Sequence, residues 1–441
     1  MSDFNPSSLA PADPSLLSAD PGAVPHLLRR AGFMPSLSEL TSARSAGVPA
    51  LVDSLLAAPA ESDRAAELDR LGESIAARND IAALRAWWFS RLRHTARPLQ
   101  ARLALFWHNH FATSNAKIQS APLMLRQLRT IESLAPAPFA HLLLALCKDP
   151  AMLLWLDGNA NAKGRPNENF ARELFELFTL GPGNYTETDI REAARAYTGW
   201  HTRAGRFHFS SVDHDSTGKT ILGQSGNFTG DDVIRIALAQ PACARFLAAK
   251  LLHEFLTPSP SEDLLNAAAD SLRNSNYHLS AFLRTLFLSQ AFFAPQYRGS
   301  RIKSPVEFVV GLVRSLEVAA PASTLADAAS QMGQRLFEPP SVKGWDGHRT
   351  WLNSATLLVR LNALDTVLSA QPEGDIRFNP AGLLAAGSSA GLSPSALAQH
   401  LADTGCPSSS DPPPSDASSV PLDAFLSSLR TRLFAAEYQM C

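Results

Sequence analysis

Along most of this chain apolar residues recur three and four positions apart, and Pro, Gly and Ser repeatedly interrupt the pattern. A sequence so punctuated folds into many short amphipathic helices and leaves little material for a sheet. The period holds over 48–56, 82–92, 99–111 and 142–146, and again over 232–256, 262–293 and 305–316. With 45% hydrophobic and 18% charged residues in 441 positions, the chain can bury enough apolar surface to offset its ordering entropy, which excludes a disordered or fibrous protein. The expected fold class is mainly α: a large multi-helix domain with a small β-hairpin.

The clearest helical pair spans 167–180 and 187–197. Pro166 precedes the first, Gly181-Pro182-Gly183 ends it, and Thr186-x-x-Asp189 opens the second as a capping box. Beyond Trp200 the alternation Arg206-Phe207-His208-Phe209 and the β-prone Lys219-Thr220-Ile221-Leu222 predict one hairpin within 206–223. Past Gln371 the composition turns to Ala, Gly, Ser and Pro, ending in the Ser/Pro tract 408–415. The division that follows is an extension over 1–25, a main helical domain over 26–370, a flexible insertion over 371–420, and a C-terminal helix over 421–441 returning to the main domain.

Charge and cysteine usage exclude several functions. Lys and Arg number 39 against 41 Asp and Glu, a net charge of −2, so no global field attracts nucleic acid. Cys147, Cys243, Cys406 and Cys441 are far apart and form no Cys-x-x-Cys, which argues against a disulfide scaffold or a zinc ribbon. The N-terminus has no basic stretch followed by an apolar one, and no run of about 18 apolar residues exists. No secretory signal or membrane span is expected, and a cytoplasmic location is the default.

Some side chains carry candidate chemistry. A helix over 167–180 places Phe170, Leu174, Leu177 and Phe178 on one face, with Glu168, Arg172, Glu176 and Thr179 opposite. Glu173 falls on the flank of the apolar face, where a carboxylate needs a partner or a raised pKa. It is the acid–base candidate, against the plainer reading of a structural ion pair. His108 and His110, about 200° apart on a helix, point to opposite sides and cannot share a metal, whereas a helix ending at Trp107 would let them converge; each is either a core histidine or a ligand or base. The loop 157–168 has oxygen-bearing residues at EF-hand spacing, but Ala162 replaces the turn glycine and Lys163 and Arg165 oppose a cation, so a helix-capping turn is favoured and no metal is expected. His214-Asp215 reads as a turn. Trp345 and Trp351 with Lys343, Asp346, His348 and Arg349 form either a pocket for a polar ring or a buried loop anchored by two tryptophans. There is no P-loop, dinucleotide fingerprint, Gly-x-Ser-x-Gly or His-Glu-x-x-His, and no cofactor is specified.

Several strings stand together in a characteristic order: Phe106-Trp107-His108-Asn109-His110-Phe111, Pro166-Asn167-Glu168-Asn169-Phe170-Ala171-Arg172-Glu173-Leu174, Thr198-Gly199-Trp200, Arg301-Ile302-Lys303-Ser304-Pro305 and Pro340-Ser341-Val342-Lys343-Gly344-Trp345-Asp346-Gly347. In these the chain resembles the bacterial family called domain of unknown function 1800, from His26 to the C-terminal helix. The resemblance implies no established activity. Members are often encoded beside proteins resembling sulfatases and alkaline phosphatases, and many carry a His where this chain has Phe178. Two readings follow. In one, Glu173, His108 or His110, Arg172 and the Trp345 loop line a cleft for acid–base chemistry on a polar substrate, a glycan or a phosphate- or sulfate-bearing molecule, with Lys343, Trp345, Asp346 and Arg349 binding it. In the other, the chain is an accessory protein for the sulfatase-like partner.

Overall fold

The computed structural model describes residues 4–57, 63–371, 373–402 and 422–441. Helices make up 63% of the chain, and the sheets among the described residues are two antiparallel pairs of strands. The chain is therefore mainly α with a small β component. No described helix is long and apolar enough to cross a membrane.

The Pro98–His110 helix organises the core. Pro98 occupies its first turn, where a missing N–H costs nothing. Leu103 and Trp107 enter one large apolar cluster, shared with Phe139, Phe175 and Phe292. Leu105 enters a second, shared with Trp88, Phe308 and Leu429. A small third cluster unites Ile302, Trp345 and Trp351. The polar face left where the first two clusters meet holds the site described below.

Local structure departs from expectation in three places. The 167–180 segment is α-helical only over Asn169–Glu173; Leu174–Thr179 widens into a π turn in which the Leu180 N–H reaches the Phe175 carbonyl at 2.9 Å. Pro182 has no N–H to give the Phe178 carbonyl, which an α-helix would pair with residue 182, so that carbonyl is left for another donor. Trp200–Arg203 pairs with Arg206–Phe209, and Lys219–Ile221 with Gln224–Gly226. The two runs assigned to one hairpin thus belong to two, each closed by a two-residue turn with both residues at positive φ, Ala204-Gly205 and Leu222-Gly223.

The third departure concerns the ends of the chain. Within the expected flexible insertion, Pro380–Ser389 and Pro394–Ala402 are helices, with Leu383, Leu397 and Leu401 buried. They pack on Leu422–Leu433, which buries Phe425, Leu429 and Leu433. Composition hid this because a few leucines at helical spacing are enough to give a short Ala-rich helix one apolar face. The Ser/Pro tract 408–415 and Cys406 lie outside the described residues. Residues 4–25 are not a mere extension either: Phe4, Ala12 and Leu17 are buried, and the Ala12 N–H donates to the Leu288 carbonyl at 2.8 Å.

Candidate functional site

The last turn of the Pro98–His110 helix sends three consecutive side chains in three directions, each gripping a distant segment. His108 turns into the core, where its Nε2 accepts the Phe337 N–H at 3.1 Å. Phe337 has φ 65°, so this bond and one from the Asn115 N–H hold a corner that a bulky residue rarely adopts. Asn109 clamps the tryptophan loop: its Oδ1 accepts the Trp345 N–H at 2.7 Å and its Nδ2 donates to the Trp345 carbonyl at 3.2 Å. His110 faces the other way, and its Nε2–H donates to the Phe178 carbonyl at 3.1 Å, the one left free by Pro182. Its Nδ1 is then a buried acceptor with no hydrogen-bond partner among the described residues. Burial pushes the His108 imidazole down to about 4 and that of His110 down to about 3, so both are neutral at neutral pH.

The Asn109 clamp requires Gly344. That residue sits at φ 84°, and a Cβ there would lie 2.5 Å from the Asn109 carbonyl oxygen. Gly344→Ala is therefore expected to release the loop from Asn109, with a stability loss of about 1–3 kcal/mol. Amide hydrogen exchange should rise at Trp345 while the Pro98–His110 helix stays protected; unchanged exchange would count against the clamp.

His110 and the Trp345 loop border a cavity of about 420 Å³. On one wall lies an ionic quartet. Arg102 Nε donates to Glu254 at 2.8 Å, Arg102 also pairs with Glu307, and Arg301 pairs with Glu307 and approaches Glu254 at 3.9 Å. Arg102 is only 1% exposed and Arg301 4%. Glu307 is the third helical residue of Pro305–Ser315 and accepts the Ser304 N–H at 2.8 Å as half of a capping box, which fixes its carboxylate between the two guanidiniums. Burial pushes that carboxyl up, but Arg102 and Arg301 bring it below the usual range. The Pro241–Phe255 helix, which supplies Glu254, also brings Lys250 and His253 to the cavity. Both are lowered from their ordinary values, chiefly by burial, Lys250 further by Lys343. Lys343 and Asp346, exposed and paired with each other, mark the mouth. His348 lies 6.3 Å from His253 between ring centres, and its Nδ1 is buried without a partner among the described residues.

Of the residues singled out from sequence, His110, Lys343, Trp345, Asp346, His348 and Trp351 line this cavity. Glu173, Arg172, His108 and Arg349 are not among its lining residues. Arg172 is held at the surface by Glu187, at 2.8 and 2.9 Å, and by Glu168 at 3.1 Å. Glu173 is half-buried; burial and the nearby Glu176 raise its carboxyl, and among the described residues it has no ion pair, so the structural pairing weighed for it is not formed. Arg349 is exposed on the His348–Trp351 turn. The calcium-like loop has its side chains engaged elsewhere: Asp157 with Lys117, Asn159 with Thr202, Asn161 with the Ala194 carbonyl. His214 and Asp215 bond to different partners, the Thr198 carbonyl and Arg195. Among the described residues no three His, Cys, Asp or Glu side chains converge as a metal site.

Sequence reasoning missed Arg102, Lys250, His253, Glu254, Arg301 and Glu307. One signal was present: Lys250, His253 and Glu254 interrupt the otherwise apolar run Leu247 to Leu256 on a helix that is largely buried, and charges so placed need partners. Ser304-x-x-Glu307 was a second, readable as a cap but not as an arginine clamp.

No curated protein and no solved structure matches this chain. The sequence model of one family covers residues 26–436, nearly the whole of it. That span includes the His108–His110 turn, the arginine–glutamate quartet and the tryptophan loop, and on it the chain belongs to the family described as protein of unknown function (DUF1800).

Proposed function

We propose that this chain is an acid–base enzyme acting on a compact polar molecule, a glycan or a phosphate- or sulfate-bearing compound, held in the cavity between the ionic quartet and the Trp345 loop. The observation that carries the reading is the lining of that cavity: Lys250, His253 and His348 stand together there, and among the described residues none of the three forms an ion pair. The volume, about 420 Å³, falls in the ordinary range for small-molecule sites, and the rings of Trp345 and Trp351 give a flat apolar wall. His253 takes the acid–base role first assigned to Glu173: it lines the cavity, carries no ion pair among the described residues, and its lowered pKa leaves it neutral and able to accept a proton.

The test is a turnover screen of the purified protein against glycosides, phosphate esters and sulfate esters. His253→Asn should keep the wild-type melting temperature and lose about 100-fold or more in rate. Full activity in that variant would remove His253 from the chemistry. Absence of turnover throughout, together with specific capture of a sulfatase- or alkaline-phosphatase-like protein, would replace the enzyme by the accessory reading.

A further inference from the structure

Four cations, Arg102, Lys250, Arg301 and Lys343, line the cavity against three carboxylates. The carboxylates are all committed: Glu254 and Glu307 to Arg102 and Arg301, and Asp346 to Lys343. Lys250 is the cation left over. Lys250 has neither an ion pair nor a hydrogen-bond partner among the described residues, and its Nζ lies 5.4 Å from the centre of the Phe246 ring. A partly buried ammonium without a counter-ion is stabilised by an anion that enters the cavity beside it.

We infer that the ligand carries a tetrahedral oxyanion, a phosphate or sulfate ester group, seated against Lys250 with its remaining oxygens toward Arg301 and the histidine pair, His253 and His348. This narrows the substrate class and rests on the proposed cavity site, though not on its catalytic role. An oxyanion brings both negative charge and several acceptor lone pairs to the Lys250 ammonium, whereas a neutral sugar brings no charge. The groups that face the seat agree. Lys250 is lowered by burial and by Lys343, with Asp346 opposing; His253 is lowered by burial, Arg301, His348 and Lys250, with Glu254 opposing; His348 is lowered by burial, Arg349 and Arg301. An arriving anion relieves these penalties, so binding should draw protons from solution.

Titration calorimetry on the full chain decides the matter, with glucose 6-phosphate, glucose 6-sulfate, inorganic phosphate, inorganic sulfate and glucose as probes, in two buffers of different ionisation enthalpy. At least one ester or free oxyanion should bind saturably, about tenfold or more tighter than glucose, with net proton uptake near neutral pH. Whether phosphate or sulfate binds better identifies the source. Lys250→Met should weaken that binding about tenfold and reduce the proton uptake, Lys250→Arg should retain it, and Lys117→Met, at an exposed lysine paired with Asp157 away from the cavity, should change it by less than about threefold. Glucose binding as tightly as the esters, no saturable anion binding at all, or anion binding indifferent to both Lys250 substitutions would each overturn the inference. Oxyanion binding without turnover of any ester or glycoside would leave it standing and remove the enzyme reading; turnover of a neutral glycoside with no anion bound would do the reverse.

Discussion

Acidification from neutral pH to about pH 4 is expected to destabilise this protein by several kcal/mol, and buried histidines set the window. His26, His108 and His110 are 1%, 2% and 6% exposed. Burial holds His26 well below its ordinary value, His108 at about 4 and His110 at about 3. In the unfolded chain each returns to about 6.5. Between these values the unfolded state binds a proton that the native state refuses, so the stability present above about pH 6.5 is lost as pH falls toward the folded pKa. At about 1.4 kcal/mol per pH unit, His108 and His110 each account for about 3 kcal/mol by pH 4. Asp149 acts oppositely: burial raises its carboxyl to about 6, so the native state takes up its proton first and gains about 3 kcal/mol over the same interval. Three histidines outweigh one aspartate. Urea unfolding from pH 7 to 4 should show falling stability with about two protons taken up on unfolding near pH 5, and His108→Gln, which keeps an acceptor for the Phe337 N–H, should flatten the slope. A pH-independent stability across this range would contradict the buried, neutral assignment.

Glu307→Gln is expected to be the most damaging conservative substitution in the ionic quartet. It leaves Arg102 and Arg301, both nearly inaccessible, with Glu254 as their remaining glutamate. Removing one partner of a buried charge pair costs about 3–5 kcal/mol, because the charge left behind keeps its desolvation penalty. The amide oxygen of Gln can still accept the Ser304 N–H, so loss of the helix cap does not explain the effect. Ser304→Ala measures that cap separately and should cost about 1 kcal/mol. Denaturation of the two variants side by side checks this, and a Glu307→Gln loss no larger than that of Ser304→Ala would mean that the guanidiniums do not depend on the shared carboxylate.

What was legible in the sequence is what short-range periodicity controls. The helical class follows from apolar spacing, and the Thr186–Asp189 capping box opens the Glu187–Ala196 helix because its two bonds lie within four residues. The opposed directions of His108 and His110 follow from one helical rotation. The misreadings over 206–223 and 371–402 came where a few residues outweigh composition: two turns at positive φ, and leucines at helical spacing in an Ala-rich stretch.

Only the tertiary structure decided which side chains share a site. Glu173 sat on the flank of an apolar face by its angle, yet the cavity formed elsewhere, where the Pro98–His110 helix, the Pro241–Phe255 helix, the start of Pro305–Ser315 and the tryptophan loop converge. The pairing of Arg102 with Glu254 joins residues 152 positions apart, and that of Asn109 with Trp345 joins residues 236 apart. Burial, pairing and the pKa shifts they cause depend on such distant neighbours. Periodicity reports which face of an element is apolar; the element that covers that face, and the charges it brings, are settled when the helices pack.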